Sequence, residues 1–377
     1  MTKVDFIYFD AGGGHRAAAT ALKAVIDGPN DGQNDAQKLP WDVRMVNLQE
    51  ILAPLDVFRK VTGLELQEIY NQMLARGWTL GSAQGLKLLH AVIRLYHRPL
   101  VRMLEKYWTG ARADLVVSLV PNFNRALRES LKNALPNVPY VTILTDLADY
   151  PPHFWMEKQE QFVICGSDKA VAQARVLAYP EDRIFRASGM ILRPTFYQLA
   201  TADRAVERKK LGLDPDRPTG LVLFGGQGSK VMLEIAERLQ DTQLIFICGK
   251  NAGLAERLRA LPARAPRHVE GFTSEIPYYM SLADFFIGKP GPGSISEAVA
   301  MGLPAIVERN IWTLPQERYN ADWVLERHAG LVLPNFRGIG GAVKELVRDL
   351  ASYQAAARQI HNRAVFEIPE MLEKILG

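Results

Sequence analysis

Two cysteines in 377 residues are too few for a disulfide framework, and both sit inside apolar runs: Cys165 ends Phe162-Val163-Ile164-Cys165, and Cys248 ends Phe246-Ile247-Cys248. They read as small core residues of a protein kept in a reducing compartment. Metal-ligand spacing is lacking too. Asp214-Pro215-Asp216 imitates an Asp-x-Asp pair, but it lies in a turn before Arg217-Pro218, away from any strand end, and is discounted. No apolar run approaches the ~20 residues that span a bilayer. No low-complexity tract interrupts the chain, so a packed core is expected throughout. Met1-Thr2-Lys3-Val4-Asp5-Phe6-Ile7 enters a strand at once, leaving no room for a signal peptide. The expectation is a cytosolic protein. A net charge of +4 is mild, so where the charge sits matters more than its sum.

What is present is an alternation of short apolar strands and helices, repeated in two halves. Phe6-Ile7-Tyr8-Phe9, Val43-Arg44-Met45-Val46, Leu115-Val116-Val117-Ser118-Leu119, Tyr140-Val141-Thr142-Ile143-Leu144 and Gln161-Phe162-Val163-Ile164 make the first series. Leu221-Val222-Leu223-Phe224 restarts it, and the runs at 243–247, 268–269, 285–287 and 305–307 continue it. Such runs separated by helical stretches predict parallel sheets with crossover helices. The fold class is α/β: two Rossmann-like, doubly wound domains, residues 1–193 and 194–350. A last helix from about Ser352, within residues 351–377, is expected to pack back on the first domain. Doubly wound sheets hold ligands at the carboxyl ends of their strands, so the expected site is a cleft between the two.

Three glycine loops carry the chemistry. Ile287-Gly288-Lys289-Pro290-Gly291-Pro292-Gly293-Ser294-Ile295-Ser296-Glu297 runs from a strand into a helix. The first N–H groups of that helix are expected to face an anion, with Ser294 or Ser296 capping the end or donating to phosphate. Glu297 can accept from a hydroxyl pair such as a ribose. Asp10-Ala11-Gly12-Gly13-Gly14-His15-Arg16 follows the first strand, and Gly225-Gly226-Gln227-Gly228-Ser229-Lys230 the first strand of the second half. Neither fits the dinucleotide fingerprint or the Walker motif. One such loop is an ordinary tight turn; three at strand ends point to a diphosphate ligand.

In the first half, His15 stands at a helix start, where the positive end of the helix disfavours protonation. A neutral imidazole suits a general base acting on an alcohol, with Asp10 orienting it or acting itself; capping or packing in the turn is the plainer reading. Asp146 follows the strand ending at Leu144, and His153 and Trp155 follow Pro151-Pro152. Asp146 and His153 are candidate acceptor contacts, set against a loop contact for Asp146 and core packing for Trp155. Between residues 57 and 108, Lys87, His90, Arg94, His97 and Arg98 fall at helical spacing opposite Leu88, Leu89, Val92, Ile93 and Leu95. Such a face suits an anionic membrane surface, although a core-facing helix with a solvated basic side has the same pattern. No nucleic-acid module accompanies the charge.

Taken in order, these residues resemble the GT-B glycosyltransferase family of monogalactosyldiacylglycerol synthases, diacylglycerol glucosyltransferases and MurG. The resemblance runs through Gly12-Gly13-Gly14-His15-Arg16-Ala17-Ala18, Thr145-Asp146-Leu147 with His153 and Trp155, and Ser188-Gly189 to Pro194. It continues in Gly225-Gly226-Gln227-Gly228, Val269-Glu270-Gly271-Phe272, residues 289–298, and Pro315-Gln316-Glu317 with Asn320. It implies an inverting, metal-independent hexose transfer from a UDP-sugar to a lipid hydroxyl of diacylglycerol type, without a further cofactor, at the inner membrane face. His15 or Asp10 would be the catalytic base, and Gly14, Asp146, His153 and Trp155 would contact the acceptor. The loop Gly291, Pro292, Gly293, Ser294 and Ile295 would hold the diphosphate with Gly225, Gly226, Gln227 and Gly228. Glu297 would take the ribose, Gly271 and Phe272 the uracil, and Gln316 and Glu317 would lie near the donor sugar. Two departures stand out: the usual Pro-Gly-Gln-Glu reads Thr313-Leu314-Pro315-Gln316-Glu317 here, and a cysteine common before the first-domain histidine is replaced near Tyr150. Rival readings are a transferase with a soluble or polyprenyl-linked acceptor, a UDP-N-acetylglucosamine 2-epimerase-like isomerase, and a non-catalytic UDP-sugar sensor.

Overall fold

A computed structural model describes residues 1–10, 14–28, 39–53, 93–198 and 202–377. Gly12, Gly13, Trp78, Lys87 and His90 lie outside the described residues. Among the described residues the chain divides at Pro194: one compact unit holds those up to Pro194 together with Asn362–Gly377, the other holds Thr195–His361.

Each unit is built on one six-stranded sheet, parallel throughout. In the first, β1 (Thr2–Tyr8), β2 (Trp41–Asn47), β3 (Leu115–Ser118), β4 (Tyr140–Ile143), β5 (Phe162–Cys165) and β6 (Ile184–Arg186) lie in the order β2-β1-β3-β4-β5-β6. In the second, β7 (Thr219–Leu223), β8 (Gln243–Ile247), β9 (Arg267–Glu270), β10 (Phe285–Gly288), β11 (Ala305–Glu308) and β12 (Gly330–Leu333) lie in the order β12-β11-β10-β7-β8-β9. Central strands are buried on both faces, as Val4, Phe6 and Ile7 of β1 and all of β7, β8 and β10 show. This is why they read as continuous apolar runs instead of alternating ones. The short outer strands β6 and β12 escape a reading that looks for long buried runs.

Where the strand order reverses, the loops on either side diverge and leave a crevice at the carboxyl ends of the strands. That point falls between β1 and β3 in the first sheet and between β7 and β10 in the second. Two of the glycine loops lie at the second of these points, residues 224–230 following β7 and residues 289–291 following β10, while Asp10 follows β1 at the first and Gly14 opens the next described helix.

The carboxyl-terminal stretch makes two helices, not the single one expected from Ser352. Leu350–Arg358 stays in the second unit, while Ala364–Leu376 belongs to the first and packs on the helix Gly14–Asp27. Asn362 makes the break. Its Nδ2 donates to the Met190 carbonyl (2.9 Å), and its Oδ1 accepts from the Ala364 N–H (3.1 Å) at the start of the new helix. Arg363 N–H donates to Ser188 Oγ (2.7 Å), and Ser188 N–H donates to Glu367 Oε2 (2.7 Å).

The helix His97–Ala111 turns Leu100, Val101, Leu104 and Trp108 into the first core. Its His97 Nε2 lies 2.7 Å from Glu129 Oε2. Ile93 packs against the same core, but Leu95 is 77% exposed beside the exposed Arg94, so it does not share the apolar face that helical spacing assigned to it. A turn at Tyr96 separates Leu95 from the helix that follows, and the periodicity does not carry across it. No helix among the described residues is long and apolar enough to cross a membrane.

Candidate functional site

In the first unit, the crevice at β1 and β3 is occupied by His15, in the first turn of the helix Gly14–Asp27. Its Nδ1 lies 3.0 Å from Thr145 Oγ1, just past β4, and its ring faces Trp155 with centroids 5.8 Å apart. Desolvation lowers its pKa to about 4, against an opposing pull from a hydrogen bond to the Leu119 backbone. A half-buried imidazole in this setting is neutral near pH 7, as a general base requires. The hydroxyl that meets His15 is Thr145, while Asp10 Oδ2 pairs with Arg16 Nη1 at 2.9 Å. Asp10 is expected to orient the ring or to act itself; the structure pairs its carboxylate with Arg16 and sets Thr145 Oγ1 at His15 Nδ1.

Asp146 and Trp155 form one unit. The indole Nε1 donates to Asp146 Oδ2 (2.9 Å), both side chains are buried, and Trp155 has no exposed surface. Trp155 therefore backs the histidine and offers an acceptor no face of its own, which corrects its expected role as a contact residue. His153 is half exposed at a positive φ of 66°, with Nδ1 3.8 Å from Glu157 Oε2.

Sequence reasoning passed over two residues that hold this region. Asp149 is buried and accepts from the N–H groups of Trp155 (2.6 Å) and His153 (3.2 Å); burial still raises its pKa. Asn124 uses all its amide capacity. Its Oδ1 accepts from Ser118 Oγ and Tyr140 OH (both 2.7 Å), and its Nδ2 donates to the Val120 and Trp155 carbonyls (3.1 and 2.8 Å). Such a satisfied buried amide specifies one arrangement of the segments it joins.

In the second unit, the loop after β7 is pinned to the loop after β8. Lys250 N–H donates to the Gly226 carbonyl (2.9 Å), Gly228 N–H to the Gly225 carbonyl (3.2 Å), and Asn251 Nδ2 to the Gln227 carbonyl (3.4 Å). Gly228 and Gly249 both have positive φ, 62° and 58°, and a Cβ on Gly249 would lie 2.2 Å from the Gly226 carbonyl oxygen. Only glycine permits that approach. Gly226 and Gln227 are exposed at the tip.

After β10, the helix Pro292–Ala300 opens with Gly291 as N-cap and Pro292 at its first position, and no side chain caps it. The expected cap from Ser294 or Ser296 is not made; Ser296 is buried. An end without a side-chain cap, with Gly293 exposed beside it, is the arrangement that receives an anion. Ile295 is buried beneath it, and Glu297 is half-buried in the next turn. Lys289, which heads the loop, sets its Nζ 2.8 Å from Glu317 Oε1 in the 3-10 turn Pro315–Glu317. Asn320 Nδ2 holds the Pro290 carbonyl (2.8 Å), and Gln316 is half-buried in the same turn. Glu317 is buried against the lysine, a pairing of residues far apart in sequence.

At the end of β9, Glu270 accepts from Tyr279 OH (2.6 Å) and the Gly271 N–H (2.8 Å), and the tyrosine contact leads in holding its carboxyl below the usual value. Phe272 is thereby presented with 67% of its surface exposed, and Lys250 Nζ lies 5.6 Å from its ring centroid. Asp214 proves to be a turn residue: its Oδ1 accepts the Asp216 N–H at 2.9 Å. Among the described residues no group of three or more His, Cys, Asp or Glu is disposed to hold a metal ion.

Comparison with known proteins agrees with this architecture. Residues 221–359 match the glycosyltransferase family 28 C-terminal domain. The chain is 28% identical over 394 residues to a probable monogalactosyldiacylglycerol synthase 2, chloroplastic, of Oryza sativa subsp. japonica, covering 97% of this chain and 79% of the relative. It is 27% identical over 402 residues to the chloroplastic monogalactosyldiacylglycerol synthase of Spinacia oleracea, covering 99% and 72%. Among solved structures, MurG of Acinetobacter baumannii superposes with a TM-score of 0.62 at 15% identity, covering 99% of this chain and 100% of that one. UDP-GlcNAc 2-epimerase of Neisseria meningitidis does so at 0.59 and 14%, with the same coverage. These two likenesses concern the fold alone. The second unit thus carries a glycosyltransferase family 28 C-terminal domain over residues 221–359, in a chain with the two parallel six-stranded sheets of the GT-B fold and similarity along its length to monogalactosyldiacylglycerol synthases.

Proposed function

We propose that the protein transfers a hexose from a UDP-sugar to a lipid hydroxyl of diacylglycerol type, with inversion and without a metal ion. The observation that carries the donor half is the pair of loops at the β7–β10 reversal: one clamped by Gly228 and Gly249, the other ending in a helix without a side-chain cap. Backbone N–H groups of Gly225, Gly226 and Gln227, and those at Gly293 and Ser294, are the donors for a diphosphate, while Gly228 and Ile295 shape the loops with their own N–H groups bonded to the Gly225 and Gly291 carbonyls. Glu297 takes the ribose, and Gly271 with Phe272 takes the uracil. The relatives' names supply the acceptor class.

In the reaction, neutral His15 removes the proton from the acceptor hydroxyl, with Gly14, Asp146 and His153 shaping its surroundings. The hydroxyl oxygen bonds to the anomeric carbon as the bond from that carbon to the diphosphate oxygen breaks. The electron pair leaves with UDP, where fixed donors meet the charge as it develops. Attachment to the inner face of an anionic membrane through residues 57–108 belongs to the same proposal.

The test is UDP release from a panel of UDP-sugars, with and without vesicles containing diacylglycerol, in EDTA. Lipid-dependent release with a glycolipid product is expected. Interconversion of UDP-sugars without UDP release, or turnover that EDTA abolishes and magnesium restores, overturns the reading.

A further inference from the structure

We propose that Lys289 is the cation that meets the charge of the departing diphosphate, and that Glu317 is a positioning residue that aims it. The inference rests on the UDP-sugar reading above and assigns two side chains within that site. Lys289 is the first residue past β10, at the point where the second sheet reverses its strand order. Its Cε would lie 3.8 Å from a Cβ on Gly225 and 3.5 Å from a Cβ on Gly291, so its stem runs between the two loops that would hold the diphosphate. The ammonium lies 2.8 Å from Glu317 Oε1, and Glu317 is nearly buried, with 11% of its side chain exposed against 36% for Lys289.

The segment that supplies Glu317 also supplies Asn320, whose Nδ2 holds the Pro290 carbonyl at 2.8 Å. Backbone and head group of this loop are thus fastened from one continuous segment, the turn Pro315–Glu317 and the helix Arg318–Glu326 that follows it. An ammonium carries three N–H donors, so contact with Glu317 and contact with phosphate oxygens are compatible. When the anomeric bond breaks, its electron pair moves onto the diphosphate oxygen. A fixed ammonium at that oxygen stabilises the developing charge with no proton transferred. Glu317, expected near the donor sugar, acts here through Lys289.

The test titrates UDP and uridine separately into wild type, Lys289→Met, Lys289→Arg and Glu317→Gln by calorimetry, alongside steady-state kinetics. Lys289→Met is expected to weaken UDP by roughly 10- to 100-fold, the size of a charge-assisted hydrogen bond, while uridine binds as before; Lys289→Arg recovers most of the loss. Glu317→Gln keeps the ammonium but loosens its aim, so kcat falls by about tenfold while KM for the UDP-sugar changes little. A Lys289→Met protein that loses UDP and uridine in parallel, or neither, overturns the role of Lys289. An unchanged kcat in Glu317→Gln overturns that of Glu317. If wild type itself takes no UDP, it is the UDP-sugar reading that fails.

Discussion

Taking the protein from about pH 7.5 to about pH 4.5 interrogates His15, whose desolvation places its folded pKa near 4 where an unfolded histidine has 6.5. Between those values the unfolded chain holds a proton that the folded chain lacks. Stability is therefore complete above about pH 6.5, declines as acid is added, and loses this contribution entirely near pH 4. The gap corresponds to about 3 kcal/mol at about 1.4 kcal/mol per pH unit. His15 is partly exposed, so solvent screening reduces the effect to roughly 1–2 kcal/mol. His15→Gln keeps a group able to bond Thr145 Oγ1 but cannot titrate in this range. Urea unfolding of wild type and variant at both pH values should show a difference in stability that grows by that amount on acidification. Ring-proton NMR reads the same quantity directly, through the histidine resonance missing from His15→Gln. A midpoint of 6 to 7 for that resonance, or parallel pH dependences in the two proteins, refutes the burial argument and with it the physical basis for a neutral base.

Two further outcomes follow from the geometry. Gly249→Ala forces a Cβ toward the Gly226 carbonyl in a backbone of φ 58°, so the glycine loop after β7 should move. A cost of about 1–2 kcal/mol is expected for the left-handed conformation alone, with at least a tenfold loss of UDP affinity; calorimetry showing full affinity contradicts it. Asn124→Leu strands the four groups that its amide satisfies, and a loss of about 2–4 kcal/mol in urea unfolding is expected, with an unchanged midpoint counting against the network.

The sheets and the glycine loops were legible because both are local signals. Buried parallel strands write themselves as apolar runs such as Leu221-Val222-Leu223, and a tight strand-to-helix turn needs glycine within a few residues. The place of His15 at the head of the first helix was legible for the same reason, since Gly14 directly precedes it. What escaped was set by partners far along the chain. Nothing near Lys289 announces Glu317, and nothing near Gly249 announces Gly226, since each pairing exists only once parallel strands bring their ends together. Trp155 looked like a ligand contact because an aromatic after Pro-Pro can be presented or packed; its indole bond to Asp146 decides for packing. The serines after Gly291 look like caps in sequence, yet Gly291 occupies the N-cap and Pro292 the first helical position. The break before the last helix was readable in principle from Asn362, a residue type that starts helices.

The stitching of Asn362, Arg363 and Glu367 to residues 188–190 has a consequence for how the chain is made. Ribosomes deliver residues in order, and the helix that closes over Gly14–Asp27 emerges only after all of Thr195–His361 has been translated. The amino-terminal body must therefore wait, one face uncovered, while its neighbour is synthesised and able to fold first. Nascent chains released before residue 362 should carry a protease-resistant second body and a soft first one, reversing the usual order of maturation.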